Sequence, residues 1–322
     1  MAAEKVELRG AGATFPAPLY QKWIEVFRRQ QPDVAIAYDV VGSGEGQRRF
    51  IEGSVDFGAS DAALSDEQMA RVASGSVLVP VAAGLVVVAY NLPGLSGPLK
   101  LARDVLPDIF NGRIRTWNDP RIRASNPGLN LPNQHIAVVA RLDGSGTTFA
   151  FTNHLAAASA AWRDNGPGVG TRVDWRGTAM LAPGNEGVAG RIKLAESSIG
   201  YVEFHFAKRL KLPMAHIQNK AGRLVEPNEA SGMAALADHA SSMPTNLRLF
   251  MPDPEGDNAY PIVTLTWLLL YEHYRDPQRA AALKRFVAWG LANGQSYSSE
   301  LGYVPLPDAV KGPALVALQR IH

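Results

Sequence analysis

Short runs of β-branched and apolar residues alternate along this chain with longer segments in which apolar residues recur every three or four positions. The short runs have the length and composition of strands and lie at residues 34–41, 54–58, 77–81, 85–90 and 136–139. The longer segments have the period of amphipathic helices and lie at residues 18–30, 148–161 and 276–291. This alternation predicts an α/β fold with mostly parallel sheets.

Two apolar segments, residues 81–90 and residues 261–271, are candidates for the places where the chain crosses between domains. If both cross, residues 1–85 and 265–322 form domain I and residues 86–264 form domain II. The second segment could instead be a buried core helix. That alternative does not exclude a hinge just before the segment. The expected binding surface is the cleft between the two domains.

Composition narrows the class of protein. A chain of 322 residues, 46% hydrophobic and 19% charged, is long enough for two domains of ordinary size. The longest apolar stretch, residues 77–90, is interrupted by Pro80 and Gly84 and is shorter than the roughly 18 residues of a membrane-spanning helix. A formal charge of +2, with Lys and Arg scattered among Asp and Glu, argues against a nucleic-acid partner.

Cofactor and localisation signals are few. The chain has no cysteine, which excludes disulfides, thiolate metal sites and a cysteine nucleophile. Its seven histidines are too far apart in sequence for a local zinc helix, so we expect neither a metal nor a cofactor. The first five residues are too short and too polar to be a signal peptide. The chain is therefore either cytoplasmic or exported with its signal peptide removed.

Four loops place small or hydroxyl-bearing residues after a predicted strand and before a predicted helix. Helix N-termini present unpaired N–H groups and a partial positive charge of about half a unit, so loops of this kind bind anions. Each loop taken alone is also compatible with an ordinary capped turn. The four loops are residues 10–16 (GAGATFP), 42–46 (GSGEG), 58–61 (GASD) and 141–148 (RLDGSGTT).

Charged residues in these loops limit which anion can be the ligand. Asp61 would repel a fully ionised anion but would accept a hydrogen bond from phosphate, which near neutral pH keeps at least one proton that sulfate lacks. Arg141 can grip two oxygens of the anion while Asp143 holds its guanidinium in one orientation. The alternatives are that Asp61 only caps the following helix and that Arg141 and Asp143 form a surface ion pair. Glu45 would weaken anion binding if it turned inward, and we expect it to face solvent near the helix start.

Three of the segments resemble, in combination, the phosphate-binding protein of the bacterial phosphate-specific ABC importer. They are residues 10–16, 55–61 and 141–147, with weaker support from residues 116–119, 199–203 and 303–307. The resemblance implies a two-domain, hinged periplasmic binding protein of type II with phosphate enclosed in the interdomain cleft. It also implies that Asp143 orients Arg141. The implied phosphate ligands are Thr14, Phe15 through its backbone N–H, Ser43 and Asp61 from domain I, and Arg141, Ser145, Gly146 through its backbone N–H and Thr147 from domain II.

The function expected from the sequence is high-affinity binding of inorganic phosphate and its delivery to the membrane permease of an ABC importer. The expected protein is a periplasmic monomer without enzymatic activity, whose signal peptide is absent from this sequence. Three alternatives stay open: an enzyme acting on phosphate esters, with Asp61 as acid or base; a binding protein for sulfate, molybdate or a phosphonate; and a scaffold or adhesin that has lost transport.

Overall fold

The computed structural model describes residues 5–175 and 179–322. Residues 1–4, part of the segment judged too polar for a signal peptide, lie outside this range. The strands are β1 (Val6–Gly12), β2 (Val34–Val40), β3 (Phe57–Ser60), β4 (Ser76–Asn91), β5 (Lys100–Leu101), β6 (Ala137–Arg141), β7 (Met180–Ala182), β8 (Ser198–Glu203), β9 (His216–Gln218), β10 (Leu224–Val225) and β11 (Val263–Tyr271). The helices are α1 (Ala17–Gln30), α2 (Ser43–Ile51), α3 (Asp66–Ala70), α4 (Val105–Phe110), α5 (Pro120–Ala124), α6 (Gly146–Ala158), α7 (Ala160–Asn165), α8 (Gly184–Leu194), α9 (Phe204–Arg209), α10 (Glu229–Ala240), α11 (Pro277–Ala292), α12 (Ser296–Leu301) and α13 (Asp308–Ala317), followed by a 3₁₀ turn at Leu318–Arg320.

The chain divides into two compact units. The first contains the residues up to Ala83, Ala240–Phe250 and Leu265–His322, and the second contains Gly84–His239 and Met251–Thr264. The chain therefore passes between units inside β4 and inside β11, near the positions at which the sequence predicted domain crossings. It also crosses at 239/240 and 250/251, which the sequence did not predict. Whether the units move as hinged domains stays a prediction.

In the first unit the strand order is β2-β1-β3-β11-β4. β1 runs parallel to both β2 and β3, whereas β11 runs antiparallel to β3. Helix α1 packs its buried face against α11, with the Phe27 and Phe286 rings 5.3 Å apart and Trp23 completely buried. The carboxyl ends of β1 and β3 thus lie at one edge of the sheet, where loops from parallel strands carry ligand-binding groups.

In the second unit the order is β4-β8-β6-β7, with a separate three-stranded sheet β10-β9-β5. β6 runs parallel to β7 and β8, and β8 runs antiparallel to β4. The Phe151 ring of α6 stacks on the Tyr201 ring of β8 at 4.5 Å, which fixes α6 against the sheet. The α/β class and the mainly parallel pairing predicted from the sequence are both present, with antiparallel pairing of β10 to β9, β11 to β3 and β4 to β8.

Three predicted elements differ from the structure. Residues 77–81 and 85–90 belong to the single strand β4, whose residues from Ser76 to Tyr90 are all buried, so packing overrides the breaks expected at Pro80 and Gly84. The helix expected at 148–161 ends at Ala158, because Ser159 is extended and caps α7 by accepting a hydrogen bond from the Trp162 N–H. The helical reading of 261–271 is wrong, since this segment forms the fully buried strand β11.

Within the described part of the chain, no helix is long and apolar enough to cross a membrane. The same residues contain no cluster of three or more His, Asp or Glu side chains able to hold a metal ion.

A buried histidine ties α6 to the 251–264 segment of the second unit. His154 is 1% exposed, and its Nδ1 lies 2.8 Å from the Pro252 carbonyl oxygen and 3.9 Å from Asp253 Oδ1. Asp253 is itself held by the Arg103 guanidinium, with Nη1 2.7 Å from Oδ1. Burial lowers the pKa of His154 to about 4. The folded protein therefore keeps this imidazole neutral well below the pH at which an unfolded chain protonates it.

We predict that His154 makes the protein less stable as the pH falls from about 6.5 to 4. The unfolded chain gains a proton in this range and the folded chain does not, so the free energy of unfolding falls by about 3 kcal/mol from this residue. Urea unfolding at a series of pH values should show that the free energy of unfolding of His154→Gln, which cannot titrate at this position, falls less steeply as the pH is lowered. The control His135→Gln changes an exposed histidine and should leave this pH dependence unchanged. Equal slopes for His154→Gln and the unmodified protein would contradict this assignment.

Candidate anion-binding site

The three predicted loops of the first unit are joined by backbone hydrogen bonds. The Gly12 carbonyl accepts from the Gly42 N–H at 2.8 Å, and the Ala13 N–H donates to the Ala59 carbonyl at 2.9 Å. These bonds link the loop after β1 to the start of α2 and to the end of β3. Thr14 and Phe15, on the first of these loops, are 7% and 0% exposed.

The N-terminus of α2 approaches the β1 loop closely because of two glycines. Gly42 precedes the helix with φ of +94°, a conformation that a side chain would strain. A Cβ added to Gly46 would lie 2.4 Å from the Gly12 Cα. The first turn of α2, which begins at the buried Ser43, can therefore lie directly against the end of β1.

Asp61 and Ser43 are in direct contact within this group of loops. Asp61 is 1% exposed, the Ser43 hydroxyl donates to its Oδ2 at 3.5 Å, and the Asp61 N–H donates to Ser43 Oγ at 3.2 Å. Asp61 does not cap the following helix, because Ser65 is the N-cap of α3 and forms a capping box with Gln68. The alternative role considered for Asp61 from the sequence is thus excluded, and its carboxylate lies at the end of β3 instead.

Asp61 also lies near two phenols. Burial raises the pKa of both Tyr20 and Tyr38, and the negative charge of Asp61 raises each further. Both side chains therefore stay neutral over the physiological range and can act as hydrogen-bond donors. The Tyr38 hydroxyl uses its proton to bond the Ala13 carbonyl at 2.7 Å, which holds the loop after β1 in place.

Glu45 is held on the surface of α2 by two arginines. Its carboxylate accepts from Arg48 Nε at 2.8 Å and from Arg49 Nε at 2.8 Å, and the side chain is 33% exposed. Hydrogen bonds from Arg48 and then from Arg49 lower the pKa of Glu45 to about 2. The expectation that Glu45 faces solvent near the helix start agrees with this geometry, since both partners follow it on the same helix.

In the second unit, the buried Arg141 and the partly buried Asp143 form a two-point ion pair at the end of β6. Arg141 Nε lies 2.9 Å from Asp143 Oδ1, Nη2 bonds Oδ2, and the Arg141 side chain is 2% exposed. Burial by itself would raise the pKa of Asp143, but the Arg141 guanidinium and the Gly184 N–H, 2.9 Å from Oδ1, together lower it. The pair stays ionised and oriented, so the reading as a surface ion pair is wrong.

Ser145, Gly146 and Thr147 form the N-terminus of α6, directly after this pair. Ser145 is the N-cap, and its Oγ accepts from the Thr148 N–H at 3.1 Å. Its proton is then available to another acceptor, and the Gly146 and Thr147 N–H groups belong to the unpaired first turn of the helix. The Thr147 side chain meets Arg141, whose Nη1 lies 3.3 Å from Thr147 Oγ1.

Three buried side chains that support these loops were missed from the sequence. The Tyr303 hydroxyl donates to the Phe15 carbonyl at 2.7 Å. The Tyr201 hydroxyl accepts from the Arg141 N–H at 3.2 Å and bonds Thr148 Oγ1 at 2.7 Å. The Asn185 amide bonds Thr147 Oγ1 at 3.3 Å. The two tyrosines lie in segments 199–203 and 303–307, which carried the weaker part of the resemblance, whereas Asn185 has no local signal.

Similarity to known proteins agrees with this architecture. Residues 2–293 match a protein-family model described as a PBP superfamily domain. The chain is 40% identical over 304 residues to the phosphate-binding protein PstS of Pasteurella multocida, covering 94% of this chain and 87% of the relative. It is 38% identical over 336 residues to PstS of Methanocaldococcus jannaschii, covering 98% and 86%. This chain belongs to the PstS family of phosphate-binding proteins.

A solved structure supports the fold of this PstS family member. The high affinity periplasmic phosphate-binding protein PfluDING, bound with phosphate, aligns with a TM-score of 0.79 at 24% identity, over 95% of this chain and 92% of that one. The predicted α/β periplasmic-binding-protein fold is therefore confirmed. Membership of a family named for binding also confirms the prediction of a solute-binding protein, as opposed to an enzyme.

We predict that Gly46→Ala destabilises the protein by about 1–3 kcal/mol, because the new methyl group would overlap the backbone of Gly12. The matched control is Gly190→Ala in α8, where a Cβ would meet nothing within 4 Å. There, the loss of backbone freedom in the unfolded chain should stabilise the helix by about 0.5–1 kcal/mol. Urea unfolding of both variants tests the close approach of α2 to β1, and equal effects would argue against it.

Proposed function

We propose that this protein binds one inorganic phosphate ion with high affinity and delivers it to an ABC-type phosphate importer. The proposed ligands from the first unit are Thr14, the Phe15 N–H, Ser43 and Asp61. Those from the second unit are Arg141, Ser145, the Gly146 N–H and Thr147, with Asp143 orienting Arg141. The observation that carries the proposal is the buried guanidinium of Arg141, which Asp143 holds in one orientation at the end of β6. The buried carboxylate of Asp61 at the end of β3 supports it independently from the first unit.

The donors of the second unit suit an oxyanion. Arg141 has five N–H donors, and within residues 5–175 and 179–322 it uses three of them, two for Asp143 and one for Thr147, which leaves two for a ligand. Ser145, Thr147 and the start of α6 add donors that carry no formal charge. Because Asp143 balances the charge of Arg141, phosphate would be held mostly by hydrogen bonds. A micromolar dissociation constant needs a net binding energy of only about 8 kcal/mol.

Asp61 accounts for selection of phosphate over sulfate. Phosphate near neutral pH keeps a P–OH group that can donate to a buried carboxylate, whereas sulfate would place an unprotonated oxygen against it. The resulting charge repulsion and loss of a hydrogen bond would cost sulfate several kcal/mol. This reading favours phosphate over the other oxyanions considered from the sequence.

The names of the relatives support a role in transport and a periplasmic location. Those that match are named phosphate-binding protein PstS, and the aligned structure is that of a periplasmic phosphate-binding protein. We propose by analogy that this chain acts in the periplasm as a monomer, with the permease of the importer as its partner. Closure of the two units around phosphate, at crossings within β4 and β11, is part of the same proposal.

Calorimetric titration of ligand-stripped protein at neutral pH tests the proposal. The expected result is saturable one-to-one binding of phosphate and no heat from sulfate. Asp61→Asn should narrow the preference for phosphate over sulfate by at least about tenfold, because an amide can donate to an unprotonated oxygen. Asp308→Asn, which changes a carboxylate that is 99% exposed in the same unit, is the control and should change neither affinity.

Two outcomes would count against this assignment in different ways. Absence of phosphate binding by the unmodified protein would overturn the proposed function. Phosphate binding with the same preference over sulfate in the protein and in Asp61→Asn would leave the function standing and remove Asp61 from selection.

A further inference from the structure

We propose that Asn185 is a positioning residue that turns the Thr147 hydroxyl into an obligatory hydrogen-bond donor toward the bound anion. The inference rests on the proposed function, since it assumes that phosphate contacts Thr147. The contacts behind it are all made by residues of the second unit, and Asn185 lies outside the four loops.

The orientation of the Asn185 amide follows from its partners. Asn185 is completely buried, and its Oδ1 lies 2.9 Å from the Glu203 backbone N–H. A peptide N–H can only donate, so the amide atom facing Glu203 must be the oxygen. The amide nitrogen is then the atom that faces Thr147 Oγ1, at 3.3 Å, and it can only donate.

Thr147 Oγ1 receives a second hydrogen bond from the opposite partner. Arg141 Nη1 lies 3.3 Å from the same oxygen, and a guanidinium has no acceptor atom. A hydroxyl oxygen has two lone pairs and one proton. With both lone pairs facing donors, the Thr147 proton has to point toward a third group. Both bonds are long, so they orient the hydroxyl more than they add stability.

This arrangement determines which oxygen of phosphate Thr147 can contact. A hydroxyl that only donates cannot accept the proton of a P–OH group, and it binds an unprotonated oxygen more strongly because that oxygen carries more negative charge. The protonated oxygen is thereby left for Asp61, the carboxylate among the proposed ligands that contact phosphate directly.

A double-mutant cycle tests this role by calorimetric titration with phosphate. In the unmodified background, Thr147→Val should weaken binding about 10- to 100-fold by removing a donor to a charged ligand. Asn185→Leu alone should weaken binding about 3- to 10-fold, because Thr147 is then free to rotate its proton away. In the Asn185→Leu background, the fold-loss of phosphate affinity caused by Thr147→Val should be at least about threefold smaller than in the unmodified background.

A second variant covers the case in which Asn185→Leu fails to fold. Asn185→Asp keeps an acceptor for the Glu203 N–H, but its other oxygen would accept the Thr147 proton and draw it away from phosphate. Thr147→Val should then leave phosphate affinity almost unchanged in this background. Simple repulsion between the new carboxylate and phosphate would lower affinity while leaving the cost of Thr147→Val unchanged, so the cycle separates the two effects.

The control is Asn126→Leu. Asn126 is 4% exposed in the same unit, and among the described residues its side chain bonds only backbone groups of Lys100 and Ile122. It should lower the melting temperature without changing phosphate affinity. Additive effects of the Asn185 and Thr147 changes, or unchanged affinity in Asn185→Leu, would overturn the inference. Failure of the unmodified protein to bind phosphate would instead overturn the proposed function and this inference with it.

Discussion

The ion pair between the buried Arg141 and the partly buried Asp143 is the interaction on which the candidate site depends. Removing a guanidinium from water costs several kcal/mol unless a partner of opposite charge and further hydrogen bonds replace the lost hydration. Asp143 supplies the charge, and the Gly184 N–H at the start of α8 holds Asp143 in turn. The Tyr201 hydroxyl accepts from the Arg141 N–H, so β8 supports the backbone at the same position. The second unit thus brings β6, β8, α6 and α8 together around one ionised side chain whose remaining donors have a defined direction.

In the first unit, the buried charged group of the candidate site is the carboxylate of Asp61. Asp61 lies at the end of β3 with Ser43 at the N-terminus of α2, where the helix dipole favours an anion. Close approach of that helix requires a residue without a side chain at position 46. The acidic residue beside it, Glu45, is neutralised by Arg48 and Arg49 on the helix surface. The two carboxylates of these loops therefore differ in their surroundings: Glu45 is paired with arginines on the surface, whereas Asp61 is buried, and it is Asp61 that we propose selects phosphate.

Local patterns account for what could be predicted from the sequence. Glycine and hydroxyl residues between an apolar run and an amphipathic segment indicate a strand, a loop and a helix start, and such signals need only neighbouring residues. The supporting side chains could not be found in this way, because Asn185 lies 38 residues from Thr147 and Tyr303 lies 288 residues from Phe15. The apolar run at 261–271 has no period that distinguishes a buried helix from a buried strand. It forms a strand whose residues are all buried within the sheet, and that environment is not visible in the local sequence.

A crystal structure of the protein with phosphate would show directly whether these residues hold the anion. We expect a tetrahedral anion contacted by Arg141, Ser145 and Thr147 from the second unit and by Ser43 and Asp61 from the first, with the Arg141–Asp143 pair unchanged. An anion bound elsewhere, or an Arg141 side chain that leaves Asp143 to reach it, would refute the proposed site.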